Sequence, residues 1–260
     1  EAERHLRRAV ALRREVLGND NPDTLAAQEA LAWLLVGGLR NFGEGETLSR
    51  ETWQTRRQVL GAEHPDTLDS MDTYTTALGS QRKYAEAEPL LRECVQARER
   101  VLGKEHSDTL ISLGNLGMLL QERGDPAGAE RVYRDVMERR TRAGLGDKLE
   151  SFSYYNNLGI ALLLQGRLEE SAKVLVEGRA RAQHVLGSEH HQTLHIQHVL
   201  ARVLIVSGRL DEGEALARET LDVRRRVTPG HEGTGRTLLY LGRVLVEKNH
   251  LDEAEPLLRE

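Results

Sequence analysis

With a single cysteine, Cys94, the chain cannot form an intrachain disulfide, and a reduced, cytoplasmic setting is expected. A lone Cys in a helical pattern reads as a small core residue. Aromatic residues are only 4% of the chain and prolines number 6, while Ala, Leu, Glu and Arg dominate. That balance excludes an ordinary sheet protein and favours helix. No apolar run approaches the roughly 20 residues of a membrane span, and no signal-peptide pattern is present. The net charge is −5 with both signs interspersed, so there is neither a basic stripe for nucleic acid nor an acidic tail.

Enzyme motifs are missing as well. There is no GxxxxGK[ST] loop, no GxSxG elbow and no HExxH, since His231-Glu232 runs into Gly-Thr-Gly. His190, His191, His195 and His198 have spacings that can present imidazoles to zinc. Without a Cys or a second cluster they read as polar positions on a helix and its connector, and no metal or cofactor is expected. Acidic pairs such as Glu169-Glu170 and Asp211-Glu212 open helices, where the positive end of the macrodipole favours them. The Arg-rich ends Arg139-Arg140 and Arg224-Arg225-Arg226 complement the opposite pole. The chain is expected not to be an enzyme.

What is present is repetition. VLGNDNPDTL (16–25) returns as VLGAEHPDTL (59–68), VLGKEHSDTL (101–110) and VLGSEHHQTL (185–194). Its Val recurs at 16, 59, 101, 185 and 227, a period of 42 residues with one step of 43. A second marker keeps the same beat: KYAEAEPLL (83–91), DPAGAERVY (125–133), RLEESAKVL (167–175) and RLDEGEALA (209–217). Each period thus holds two segments, and both carry apolar residues at helical spacing, as in Leu110, Leu113, Leu116, Leu119 and Leu120. The spacing predicts A helices at 23–38, 66–81, 108–123, 149–165, 191–207 and 233–248. It predicts B helices at 1–17, 43–60, 85–102, 126–143, 168–186, 210–227 and 251–260. A lone hairpin cannot bury its apolar face, whereas stacked hairpins can, so an all-α solenoid is expected. Its units are a partial 1–17, then 23–60, 66–102, 108–143, 149–186, 191–227 and 233–260. The chain is expected to be a single solenoid, 1–260, cut from a longer array at both ends.

The recurring connector reads as helix punctuation. Gly18 ends one helix, Asn21 or His64 caps the next ahead of Pro22 or Pro65, and Asp23 or Asp66 faces the free N–H groups of the first turn. Pro89 and Pro256 fall early in B helices, near where a missing N–H costs least. An extra residue near Leu39–Asn41, a shorter last connector (VTPGHEGT) and a fourth connector without His-Pro-Asp predict local irregularity.

The stretch DTLISLGNLGMLLQERGDPAGAERVYRDVMERR resembles a tetratricopeptide repeat, with Asn115-Leu116-Gly117, Gly124, Ala129 and Tyr133 at its marker positions. The 42-residue period with its VLGxxHPDTL connector is similar to the long variant of kinesin light chains, found also in bacterial and fungal signalling proteins. The resemblance implies a right-handed superhelix whose A helices line a concave face. The positions it implies for partner contact are Ala30 and Trp33; Asp69, Asp72, Thr73 and Thr76; Ile111, Asn115, Met118 and Gln121; Ser153, Asn156, Asn157 and Ile160; His195, His198, Val199 and Arg202; and Arg236, Tyr240 and Arg243. Asn115 and Asn157 match the family's asparagine that grips a ligand backbone, an amide being both donor and acceptor. The second repeat supplies Asp69 and Asp72, and the fifth and sixth supply His195, His198, Arg202, Arg236 and Arg243. The expectation is an interaction module, adaptor or sensor region, that binds a protein or peptide with acidic residues toward repeats five and six. The alternative is a structural spacer or self-associating arm.

Overall fold

The computed structural model describes residues 1–228, 230 and 232–260. The readings that fall on Pro229 and His231 lie outside these. Among the described residues the secondary structure is entirely helical, in two compact units, 1–125 and 126–260. The first holds α1 (Ala2–Leu17), α2 (Pro22–Trp33), α3 (Phe42–Val59), α4 (Pro65–Ser80), α5 (Tyr84–Val101) and α6 (Ser107–Arg123). The second holds α7 (Pro126–Arg142), α8 (Leu149–Leu164), α9 (Leu168–Leu186), α10 (His191–Val206), α11 (Leu210–Val227), α12 (Glu232–Glu247) and α13 (Leu251–Arg259). The expected boundaries hold almost throughout. Within each unit, helices that follow one another in the chain pack together. In addition α4 touches both α2 and α6, and α10 touches both α8 and α12. The A helices therefore form an inner row in each unit, with the B helices outside.

The connectors act as caps. The Asp23 N–H donates to Asn21 Oδ1 at 2.9 Å, and the Asp66, Asp108 and Gln192 N–H groups donate to Nδ1 of His64, His106 and His190 at 3.2, 3.3 and 3.2 Å. An imidazole nitrogen that accepts must be unprotonated, so these histidines cap as the neutral tautomer with its proton on Nε2. Each cap satisfies one of the orphan donors of a helix start. The extra residue of the first repeat is absorbed by a π-helical turn, Leu34–Gly38, that continues α2. Its wider ring (the Leu39 N–H reaches the Leu34 C=O at 2.9 Å) takes up one residue without breaking the helix. At the end of α6 Gly124 adopts the left-handed conformation (φ 93), whereas after α4 Arg82 must adopt it (φ 61).

Leucines at helical spacing make the interior: Leu68, Leu110, Leu158 and Leu194 are all at most 2% exposed. Cys94 is fully buried, as expected, and burial pushes its thiol up to about 12. Successive hairpins are also stapled at their ends. Gln81 and Lys83 both donate to Glu46 (2.6 and 2.7 Å), and two periods on Gln165 and Arg167 donate to Glu130 (2.9 and 2.5 Å). Close helix crossings require glycine: a Cβ on Gly178 would lie 2.5 Å from the Tyr155 Cβ. One expectation needs correcting. Pro89 and Pro256 stand inside α5 and α13, beyond the first turn, so each helix loses one backbone hydrogen bond there.

Candidate partner-binding site

In residues 1–125 the inner helices wall a cleft of about 650 Å³. Ala30 and Trp33 line it from α2, Asp69, Asp72, Thr73 and Thr76 from α4, and Ile111 and Asn115 from α6. These eight positions are among those implied by the sequence. Trp33 is 65% exposed, with Ile111 exposed on the opposite wall. The Asn115 amide lines the cleft without a hydrogen bond to any described residue. Thr76 and Asn115 also border a smaller crevice, where Met118 lies exposed. Gln121, one turn further along α6, is half-buried, and its Oε1 makes no hydrogen bond.

The floor of the cleft is ionic, and the sequence reading missed half of it. Glu29 comes from α2, and Arg56 and Arg98 come from the last turns of the outer helices α3 and α5. Arg56 donates to the Asp66 C=O and to Ser70 Oγ, both at 2.8 Å, and the Glu29 carboxylate stands 3.6 Å away. Thr73 donates its hydroxyl to Glu29 at 2.6 Å. Arg98 repeats the arrangement. It donates to the Asp108 C=O at 2.8 Å and meets Asp69 at 2.7 Å and Asp72 at 3.0 Å. Ser112 adds a hydroxyl to Asp72 at 2.7 Å. Asp69 and Asp72 are therefore both counterions of Arg98; Asp72 is largely enclosed, whereas the Asp69 side chain stays exposed. Desolvation outweighs Arg98 at Asp72 and pushes its carboxyl from 3.8 up to about 6; its Oδ1 is buried without a partner.

In residues 126–260 the implied positions separate into buried and exposed sets. Asn156 is buried and donates to Asn157 at 3.3 Å, so these two amides bind each other. Val199 belongs to the core. His198 is buried against the edge of the Tyr240 ring (5.0 Å between centroids), with Thr237 Oγ1 3.3 Å from its Nδ1. Desolvation, together with nearby Arg224, His195, Arg236 and Arg202, lowers its pKa to about 3, so it is neutral near pH 7. The Arg202 guanidinium lies over Tyr240 at 5.7 Å. Arg243 is exposed and pairs with Glu247 at 3.2 Å. His195 and Arg236 line a second cavity, of about 210 Å³, with His198 and Arg224. Among the described residues no group of three His, Cys, Asp or Glu side chains is placed to hold a metal, and no helix is long and apolar enough to cross a membrane.

Two tetratricopeptide repeat profiles match the chain, one over residues 76–142 and 194–260, the other over 1–23, 24–66 and 152–192. No curated protein sequence matches it. Among solved structures it is similar to a kinesin-light-chain-like protein of Podosopora anserina with nearly identical TPR-like repeats (23% identity, 78% of this chain and 95% of that one, TM-score 0.69). It is similar also to BtubC of P. vanneervenii (18%, 90% and 88%, TM-score 0.67). A third is a signal transduction ATPase with numerous domains from Pyrococcus horikoshii, which carries a tetratricopeptide repeat sensor (13%, 89% of this chain but 36% of that one, TM-score 0.66). At these identities the likeness shows the fold alone. With the profiles matching along most of its length, the chain belongs to the tetratricopeptide repeat family.

Proposed function

We propose that the chain is a partner-binding module, an adaptor or sensor region, that grips an extended polypeptide in the cleft of residues 1–125. Tetratricopeptide repeats generally mediate protein–protein interaction and are typically non-catalytic scaffolds. The observation that carries the reading is the composition of the cleft. Both guanidiniums of its floor are already met by carboxylates, while Trp33 and Ile111 stand exposed above them and the Asn115 amide is unengaged. Such a surface suits an apolar side chain lodged against Trp33 with its backbone held by Asn115. It does not suit a strongly charged segment, because Asp69, Asp72 and Glu29 already have cationic partners. Acidic residues of the partner fit Arg202 on an inner helix of residues 126–260, and Arg243, whose exposed i,i+4 pair with Glu247 is weak enough for a ligand to displace.

The test is peptide display against the 1–260 chain, followed by affinity measurement of the selected sequences with Trp33→Ala and Asn115→Ala. Each substitution is expected to weaken binding about tenfold or more, the usual effect of removing an anchoring contact worth ≥1.4 kcal/mol. Unchanged affinity in both variants contradicts the reading. Sedimentation of the free chain separates a spacer that pairs with its own copies from a module that waits for a different partner.

A further inference from the structure

One register position near the end of each outer helix reads Arg13, Arg56, Arg98, Arg140, Ala182 and Arg224 in successive repeats. The buried members are met by acids from inner helices. Arg56 has Glu29, Arg98 has Asp69 and Asp72, and Arg140 has Glu150 at 3.1 Å. Arg224 breaks this rule. It is only 6% exposed, yet among the described side chains no carboxylate pairs with it. Among the described residues its guanidinium makes one hydrogen bond, to the Leu194 C=O at 3.1 Å, and its Nε is buried without a partner. The cause is visible in the sequence. His198 stands three repeats after Asp72, at the same register, so an imidazole replaces the carboxylate that neutralises Arg98.

Arg224 is not sealed in. It lines the cavity of about 210 Å³ that it shares with His195, His198 and Arg236. A buried guanidinium without a counterion is costly, and its planar fork is matched by a carboxylate. In residues 1–125 the equivalent seat is filled by a carboxylate from the chain itself, which fixes the size and chemistry of what belongs there. We propose that the cavity at Arg224 is a carboxylate-binding site, which takes from outside the counterion that Asp72 supplies to Arg98 from within. That the carboxylate is carried by a partner polypeptide rests on the partner-binding reading. The absence of a described carboxylate at Arg224 does not, and small anions test it alone.

The experiment is a titration of the intact chain with sodium acetate, and separately with inorganic phosphate, at constant ionic strength set by chloride. The ring signals of His195 and His198 are followed by NMR. The wild-type chain is expected to show saturable shifts with acetate. Arg224→Met and His198→Asp are expected to lose them, the first by removing the cation and the second by neutralising it internally. Ala182 at the same register shows that an apolar residue is tolerated there, and the circular-dichroism melt of each variant verifies its fold. A saturable shift that persists in both variants, or none in the wild-type chain, overturns the proposal. A saturable response to phosphate without one to acetate overturns the carboxylate assignment.

Discussion

Asp72→Asn puts the physics of the cleft floor to a quantitative test, because two strong effects oppose each other there. Arg98 attracts the Asp72 carboxylate across 3.0 Å, while burial disfavours its charge. Burial prevails, and the carboxyl titrates at about 6 instead of 3.8. A folded-state pKa above the unfolded one means that the native chain holds this proton more tightly than the unfolded chain does. The ionised site therefore costs nothing below pH 3.8, progressively more as pH rises, and about 3 kcal/mol above pH 6, at 1.36 kcal/mol per unit. Asparagine resembles the protonated acid and needs no proton. It leaves Arg98 with Asp69 and with the Asp108 C=O, but it places an amide N–H where Oδ1 has no partner, a cost of about 1 kcal/mol. The variant is expected to be more stable than wild type by about 2 kcal/mol at pH 7.5 and less stable by about 1 kcal/mol at pH 3.5, crossing near pH 4.5. The chain's 2 tryptophans, Trp33 and Trp53, both lie in residues 1–125, so urea unfolding followed by tryptophan fluorescence reads this unit directly. A variant less stable than wild type at pH 7.5 refutes the reasoning and makes the Arg98 attraction the larger effect.

Other substitutions probe separate elements. His198 has the opposite sign: its folded pKa of about 3 lies below the unfolded 6.5, so its contribution is full above pH 6.5 and declines by about 1.4 kcal/mol per unit as pH falls toward 3. Relative to wild type, His198→Gln should gain about 2 kcal/mol between pH 7 and pH 5 in denaturant titrations monitored by circular dichroism; a constant difference contradicts the burial argument. Gly178→Ala should cost about 2–3 kcal/mol in the same assay, since its methyl would stand against Tyr155 Cβ rather than a movable side-chain tip. Gly124→Ala should destabilise by about 1–2 kcal/mol and Arg82→Gly should stabilise by up to about 1 kcal/mol, both from left-handed backbone strain. Arg202→Glu with Arg243→Glu should weaken an acidic partner about tenfold or more and flatten the dependence of its affinity on salt; unchanged affinity removes the charge gradient.

The fold was legible because each instruction is local and repeated. A Gly, a capping Asn or His and a first-turn Asp fall together at the joints before α2, α4 and α6, a capping His returns before α10, and a leucine stripe follows each. The π-helical turn at Leu34–Gly38 was legible only as a residue too many, since helical spacing does not show how an insertion is absorbed. Positions on the inner helices could be read, but the state of their charges could not. Asp72 meets Arg98 only because an outer helix ends beneath an inner one, a contact between residues 26 apart in sequence that no local pattern displays. The recurrence of Arg56, Arg98, Arg140 and Arg224 at the repeat period was the available signal. Asn156 and His198 were read as groove contacts, but their register turns them into the packing between helices. The neighbouring positions, Asn157 and His195, are less enclosed.

The central claim is that a partner occupies the cleft of residues 1–125, and a calorimetric titration of one display-selected peptide tests it most directly. Three proteins are compared: the wild-type chain, Trp33→Ala, and Arg92→Ala, which removes an exposed side chain of outer helix α5 that is absent from the cleft. The account expects Trp33→Ala to weaken binding about tenfold or more while Arg92→Ala matches wild type. Equal affinities for all three proteins would contradict it.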